Sequence, residues 1–278
     1  MMENHATFVD AMVASAILGT VLVPVDPRTR GRKLRYLLDF PGCRAVLAGT
    51  ASVGAIGAVR AELPRLEWVW AVDEPGYAAR LADGPELPVA TRLDSPMLLV
   101  FSSGTTGDPK AFVATYARYA AKGVELCRLF GILASDRMYT GLSLTHGSAQ
   151  NMSLGISLYN GIPLVFSRKF SKSRLWQIVA DFDCTTVVLL GGMFAAIYAE
   201  PPAPHDRRHH MRLVIAAGMP PALWQPFAQR FGVSILEFYA ATEGGMTVNA
   251  PGEGPVGSIG KPPPSLVARV LDDADREC

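Results

Sequence analysis

The chain's 278 residues are 49% hydrophobic and 18% charged, which supplies a large core and excludes general disorder. Lys and Arg total 26 against 25 Asp and Glu, so a formal charge of +1 excludes a global pull towards nucleic acid or anionic membrane. Four scattered cysteines, Cys43, Cys127, Cys184 and Cys278, form no CxxC pair and argue against a zinc site or a disulfide framework.

In chain order, Ala6 to Leu18 reads as a helix stopped by Gly19, and Val21 to Val25 as a short β-branched strand. The uncharged stretch from Ala11 to Val25 is shorter than the roughly 20 apolar residues of a membrane span, and Gly19 and Pro24 interrupt it. No basic run precedes it as in a signal peptide. Arg32 to Phe40 is helical, with Leu34, Leu37 and Leu38 on one face. A strand at Arg44 to Leu47, a helix at Ser52 to Leu63 and a strand at Glu67 to Val72 follow. This alternation predicts parallel strands with helices on the sheet faces. Residues 73–95 read as a surface connection, Met97 to Phe101 as a strand and Tyr116 to Phe130 as a helix.

The second half repeats the pattern. Ser171 or Ser173 is the expected cap of a helix whose stripe is Leu175, Trp176, Val179 and Phe182. Strands are expected at Thr185 to Leu190, Arg212 to Ala216 and Ser234 to Tyr239. Between the last two, Trp224, Phe227 and Phe231 are in helical phase and Gly232 is the stop. Proline is tolerated in a first turn, so Pro226 predicts a helix start near Leu223. His205, His209 and His210 sit in a Pro- and Arg-rich loop and read as solvated.

The strongest chemical signal is Ser102-Ser103-Gly104-Thr105-Thr106-Gly107-Asp108-Pro109-Lys110, which follows an apolar strand and precedes a helix-like segment. Glycines let the backbone approach a ligand, inward-pointing amides form an anion nest, hydroxyls add donors and Lys110 adds charge. These are the requirements of a polyphosphate; an ordinary hydrophilic turn is the alternative. A Walker-type loop fits badly, because Pro109 precedes the lysine and Ala111 follows it.

Leu99 to Lys110 resembles the phosphate-loop signature of the AMP-binding, or adenylate-forming, superfamily of acyl-CoA synthetases, luciferases and peptide-synthetase adenylation domains. Tyr239-Ala240-Ala241-Thr242-Glu243 resembles the family's Tyr-Gly-x-Thr-Glu block, with Ala240 in place of Gly. Val256 to Pro262 resembles the next block, and Gly19 to Pro27 resembles a segment near the family's start. Ala111 stands where Gly is common, and Tyr116 where His is common. Glu237 to Gly244, with Lys169-Phe170-Ser171 and Arg174-Leu175-Trp176, is similar to fatty acid transport proteins, very-long-chain acyl-CoA synthetases and crotonobetaine/carnitine-CoA ligases.

The resemblance implies an α/β fold of two β-sheet lobes with flanking helices, the layered αβαβα large domain of adenylate-forming enzymes, incomplete and without the small C-terminal domain. Lobes at 1–140 and 141–250 are expected, with 251–278 opening a further β-rich subdomain. It implies that Ser102, Ser103, Gly104, Thr105, Thr106 and Gly107 hold the β- and γ-phosphates of ATP, assisted by Lys110. Tyr239 would stack on adenine, with Ala216, Ala217 and Gly218 lining its pocket; Thr242 would contact the α-phosphate region and Glu243 would hold Mg²⁺. His146, Gly191, Gly192 and Met193 would line the acyl pocket, although a structural histidine and a plain glycine turn are the alternatives.

The activity implied is ATP-dependent formation of an acyl-adenylate, then a thioester with coenzyme A. Two alternatives are loading of a carrier-protein thiol and a truncated, non-catalytic nucleotide-binding remnant. The expected partners are a small carboxylic acid, ATP and coenzyme A, without nucleic acid or a transmembrane segment, in a cytoplasmic or membrane-peripheral setting. Against the family's pattern the chain reads as truncated at both ends. It stops before the Thr-Gly-Asp block whose Asp holds the ribose and before the domain carrying a catalytic lysine, so the isolated chain is expected to have little complete activity.

Overall fold

The computed structural model describes residues 1–81, 89, 91–101, 109–241 and 244–278. They form two compact units interleaved along the chain: 1–123 with 141–155 and 166–170, and 124–140 with 156–165 and 171–278.

In the first unit, helix α1 (Ala6–Leu18) begins where the His5 ring accepts the Thr7 amide and ends at Gly19, whose φ of 68° closes a bond to the Ser15 carbonyl. Helix α2 (Gly31–Asp39) buries Leu34, Leu37 and Leu38, the stripe its spacing predicts. These leucines pack with Val25, Val46, Ala48, Ile56 and Leu66. Strands β1 (Ala45–Ala48) and β2 (Trp68–Ala71) pair in parallel through the crossover of α3 (Thr50–Gly57). The expected helix at Ser52 to Leu63 is broken: α3 stops at Gly57 and a 3₁₀ turn covers Arg60–Glu62. Gly54 and Gly57 weaken its continuation. Helix α4 (Gly76–Leu81) lies within the stretch read as a plain connection.

The expected strand at Val21 to Val25 shrinks to one bridge, Leu22 to Leu98, because Pro24 has no amide to extend it. A larger departure concerns the phosphate-loop signature. It joins two strands of an antiparallel pair, β3 (Pro96–Phe101) and β4 (Ala111–Thr115), rather than a strand and a helix. Phe112, Val113 and Thr115 favour the extended ladder, and helix α5 (Tyr116–Leu129) starts only afterwards. Helix α6 (Gly147–Ala149) runs directly into a π-helical segment, Gln150–Gly155.

The second unit is built on a six-stranded sheet ordered β10-β9-β8-β7-β5-β6. Its strands are β5 (Met138–Thr140), β6 (Leu164–Phe166), β7 (Thr186–Leu190), β8 (Leu213–Ala217), β9 (Ser234–Ala240) and β10 (Met246–Asn249). The pairs β5–β7, β7–β8 and β8–β9 are parallel, and β9–β10 is antiparallel. All but the last residue of β7 and of β8 is buried, as expected for central parallel strands covered on both faces.

The helices of this unit are α7 (Ile156–Asn160), α8 (Leu175–Asp181), α9 (Met193–Tyr198) and α10 (Pro221–Phe231). Trp176, Phe194, Phe227 and Phe231 form one aromatic cluster, with Trp176 and Phe231 stacked at 4.4 Å and Phe227 and Phe231 edge-on at 4.6 Å. Two expectations fail at helix starts. The α8 cap is Arg174 without a side-chain bond, while Ser171 and Ser173 turn to each other at 3.5 Å. Phe182 lies past the end of α8 and is exposed. Helix α10 begins at Pro221, so Pro226 falls in its second turn. Burial of Phe227 and Phe231 outweighs the missing amide. His209 is also not solvated: it stacks on Trp176 at 4.7 Å, accepts the Met211 amide and bonds the Asp206 carbonyl.

Candidate functional site

Ser102, Ser103, Gly104, Thr105, Thr106 and Gly107 lie outside the described residues, as do Thr242 and Glu243. The frame that presents the first group is described. Phe101 pairs with Ala111 across the base of the β3–β4 pair, and Lys110 stands exposed beside it. The Tyr36 hydroxyl donates to the Pro109 carbonyl at 3.3 Å, while its ring stacks on Phe40 at 5.4 Å and meets Phe101 at 6.0 Å. An aromatic trio thus anchors both flanks of the loop.

The residues expected around adenine gather at the C-terminal ends of β8 and β9. Ala216 is wholly buried within the sheet, Ala217 is half-buried, and Gly218 is exposed with φ of 75°. That left-handed turn is where a glycine is needed. Gly191, expected in the acyl pocket, docks against the same turn. Its amide donates to the Ala217 carbonyl at 2.8 Å, and its Cα lies 3.6 Å from where a side chain on Gly218 would begin. Gly192 precedes α9 and Met193 opens it, its sulfur 3.4 Å from the Leu190 amide. Tyr239 leaves 49% of its surface exposed, which keeps a planar face available for a base.

Glu237 was assigned no role from sequence, yet it organises this corner. It is 4% exposed, two positions before Tyr239 and on the same face of β9. Its Oε1 accepts the amides of Gly218 at 2.6 Å and Met219 at 3.3 Å. Its Oε2 is buried without a partner among the described residues. Burial pushes its pKa upward, against the opposing pull of the two amides. The sequence signal was available: a lone acid inside the apolar run Ser234 to Ala240 is costly unless it is used.

His146 belongs to the first unit. It caps α6, its Nδ1 accepting the Ser148 amide at 3.2 Å, so the neutral ring carries its proton on Nε2. Burial lowers its pKa, and the negative charge of Asp26 opposes this weakly. A cavity of about 210 Å³ in the same unit is lined in part by His5, Arg28, Arg30, Asp73 and Arg168. No sequence signal marked it, because its walls come from separated segments. Among the described residues no group of three His, Cys, Asp or Glu could hold a metal, and no helix is long and apolar enough to cross a membrane.

A family model for AMP-binding enzymes matches residues 1–278. Long-chain fatty acid transport protein 1 of Mus musculus is 29% identical over 274 residues, covering 93% of this chain and 42% of that protein. Medium/long-chain-fatty-acid–CoA ligase FadD6 of Mycobacterium tuberculosis is 31% identical over 252 residues, covering 88% and 42%. The chain thus spans less than half the length of these curated relatives. Among solved structures, the anthranilate CoA ligase AuaEII in complex with anthranoyl-AMP superposes with a TM-score of 0.89 at 22% identity, over 100% of this chain and 57% of that one. A Mycobacterium tuberculosis fatty acyl CoA synthetase superposes with a TM-score of 0.85 at 22% identity, over 100% and 56%. These two carry the fold, and the family match over the whole sequence carries the membership: the chain belongs to the AMP-binding enzyme family.

Proposed function

We propose that this chain forms the nucleotide- and acid-binding part of an acyl-CoA synthetase that activates a carboxylic acid, of the fatty or related acyl class, with ATP. The acid's carboxylate attacks the α-phosphorus, pyrophosphate leaves, and the coenzyme A thiolate then displaces AMP from the acyl-adenylate. The single observation that carries the reading is a family match over all 278 residues that includes the hydroxyl- and glycine-rich stretch Ser102 to Lys110. The names of the curated relatives favour fatty acids as the substrate class.

In this reading Ser102, Ser103, Gly104, Thr105, Thr106, Gly107 and Lys110 neutralise the phosphates. Tyr239 covers adenine beside Gly218 and Ala217, and Thr242 and Glu243 act at the α-phosphate and its magnesium. Chemistry of this kind is mostly positioning and charge neutralisation. Magnesium would enter with ATP and be held chiefly by phosphate oxygens, joined by Glu243, because this ion commonly takes only one or two protein carboxylates. The lobes 1–140 and 141–250, with 251–278 opening a further subdomain, and a cytoplasmic or membrane-peripheral setting, are part of the same proposal.

ATP–pyrophosphate exchange against a panel of carboxylic acids tests it. Exchange that depends on a fatty acid and falls in Lys110→Ala and Glu243→Gln is the expected result. ATP binding with no acid-dependent exchange would overturn the activity and leave a nucleotide-binding module.

A further inference from the structure

The turn that carries His146 has little regular secondary structure of its own between β5 and α6. Two buried amide side chains hold it instead. Asn4 is 3% exposed and lies 140 positions away from Leu144 in sequence. Its Oδ1 accepts the Leu144 amide at 2.7 Å, and its Nδ2 donates to the Leu142 carbonyl at 2.8 Å and the Ser167 carbonyl at 2.9 Å. Its own amide donates to the Arg168 carbonyl at 3.1 Å.

Gln150, 1% exposed, takes the other half of the same residue: its Nε2 donates to the Leu144 carbonyl. Both polar groups of Leu144 are therefore satisfied by side chains rather than by a helix or a ladder, two residues before His146. Gln150 is itself held, its amide donating to the His146 carbonyl at 3.0 Å and its carbonyl accepting the Tyr119 hydroxyl at 2.6 Å. Gly155 closes the π-helical segment beside this carbonyl: a Cβ there would lie 3.1 Å from the Gln150 carbonyl oxygen, a tight contact, and 3.5 Å from Tyr119, an ordinary one. A π-helical turn costs hydrogen-bond regularity and is often found at functional positions.

We infer that Asn4 and Gln150 are positioning residues for acid binding, acting through Leu144 to fix the place and tautomer of His146. The inference rests on the proposed acid activation and on His146 lining the acyl pocket, as the family resemblance implies. A polar pair of this kind is effective because each lost bond leaves a buried peptide group unsatisfied, so the turn has one arrangement rather than several. Displacements of about 1 Å at a binding group are enough to change function by orders of magnitude.

The test uses the full chain, with dodecanoate and ATP as separate probes. NMR of the His146 imidazole reports its pKa and tautomer and its response to dodecanoate. In the wild type, a neutral ring with Nδ1 accepting and a response to dodecanoate are expected. Asn4→Ala and Gln150→Leu should raise the His146 pKa towards its ordinary value and weaken dodecanoate binding on the order of tenfold. ATP affinity should stay within about twofold. Gln150→Leu removes only one of the two ties and keeps the test alive if Asn4→Ala does not fold. A His146 that ignores dodecanoate in the wild type would sink the pocket reading and this inference with it. A wild-type response that persists unchanged in both variants would overturn this inference alone, as would equal losses of ATP and dodecanoate affinity.

Discussion

Glu237 concentrates the electrostatics of the Gly218 corner, the proposed adenine site, in one carboxyl. Its raised pKa means the folded state binds a proton more tightly than the unfolded chain does. Its contribution to stability is therefore present at pH values below the unfolded pKa and is lost as pH rises through the folded value. Glu237→Gln keeps an acceptor for Gly218 and Met219 and removes the charge. In urea titrations it should gain on the wild type as pH rises above the ordinary carboxylate range. A constant difference across that range would mean that Glu237 does not titrate differently on folding. Glu237→Ala strands both amides and should cost about 1–3 kcal/mol.

His209 titrates with the opposite sense. Burial lowers its pKa, and its Nδ1 already accepts the Met211 amide, so protonation removes a bond and charges a ring stacked on Trp176. Its share of stability is present above the unfolded pKa and is lost as pH falls through the folded one. Replacing His209 with Phe should flatten the acid limb of the stability curve, and an unchanged limb would exclude it as the titrating group.

At the scale of elements, the β3–β4 pair and α10 set the frame. Tyr36→Phe keeps the aromatic trio but removes the bond to Pro109. It should cost about 0.5–1.5 kcal/mol and weaken ATP binding through the loop flanks; unchanged ATP affinity would confine Tyr36 to the core. Phe227 is fully buried between Phe194, Trp176 and Phe231. Phe227→Ala should cost about 3–5 kcal/mol in chemical denaturation. That cluster also explains why α10 survives Pro226: packing of an amphipathic face contributes more to a short helix than one backbone bond.

Elements whose signals are local were legible. Gly19 and Gly232 end their helices in the left-handed conformation expected of them, and the leucines of α2 are the buried stripe that their spacing implies. Strand β4 was not legible, because five residues gain an extended conformation only when β3 lies beside them. The serine cap of α8 failed for a related reason: Ser171 and Ser173 satisfy each other, a choice that propensity does not encode.

At the scale of the whole molecule, the buried strands β7 and β8 should hold the slowest-exchanging amides, with the sheet-edge strands β6 and β10 faster. Uniform exchange along the sheet would contradict the burial pattern.

The sequence by itself determined the family and the order of most β–α units, and it marked out the hydroxyl- and glycine-rich stretch proposed to bind phosphate, because each is written in contiguous residues with a fixed chemistry. Tertiary structure alone decided that Glu237 braces the Gly218 turn, that Gly191 docks on it, and that Asn4 and Gln150 share Leu144. Apart from the span of 6 positions between Leu144 and Gln150, those arrangements join residues from about 20 to 140 positions apart through buried hydrogen bonds and close backbone contacts. Such contacts exist only once folding has excluded water, and no local pattern of residues records them.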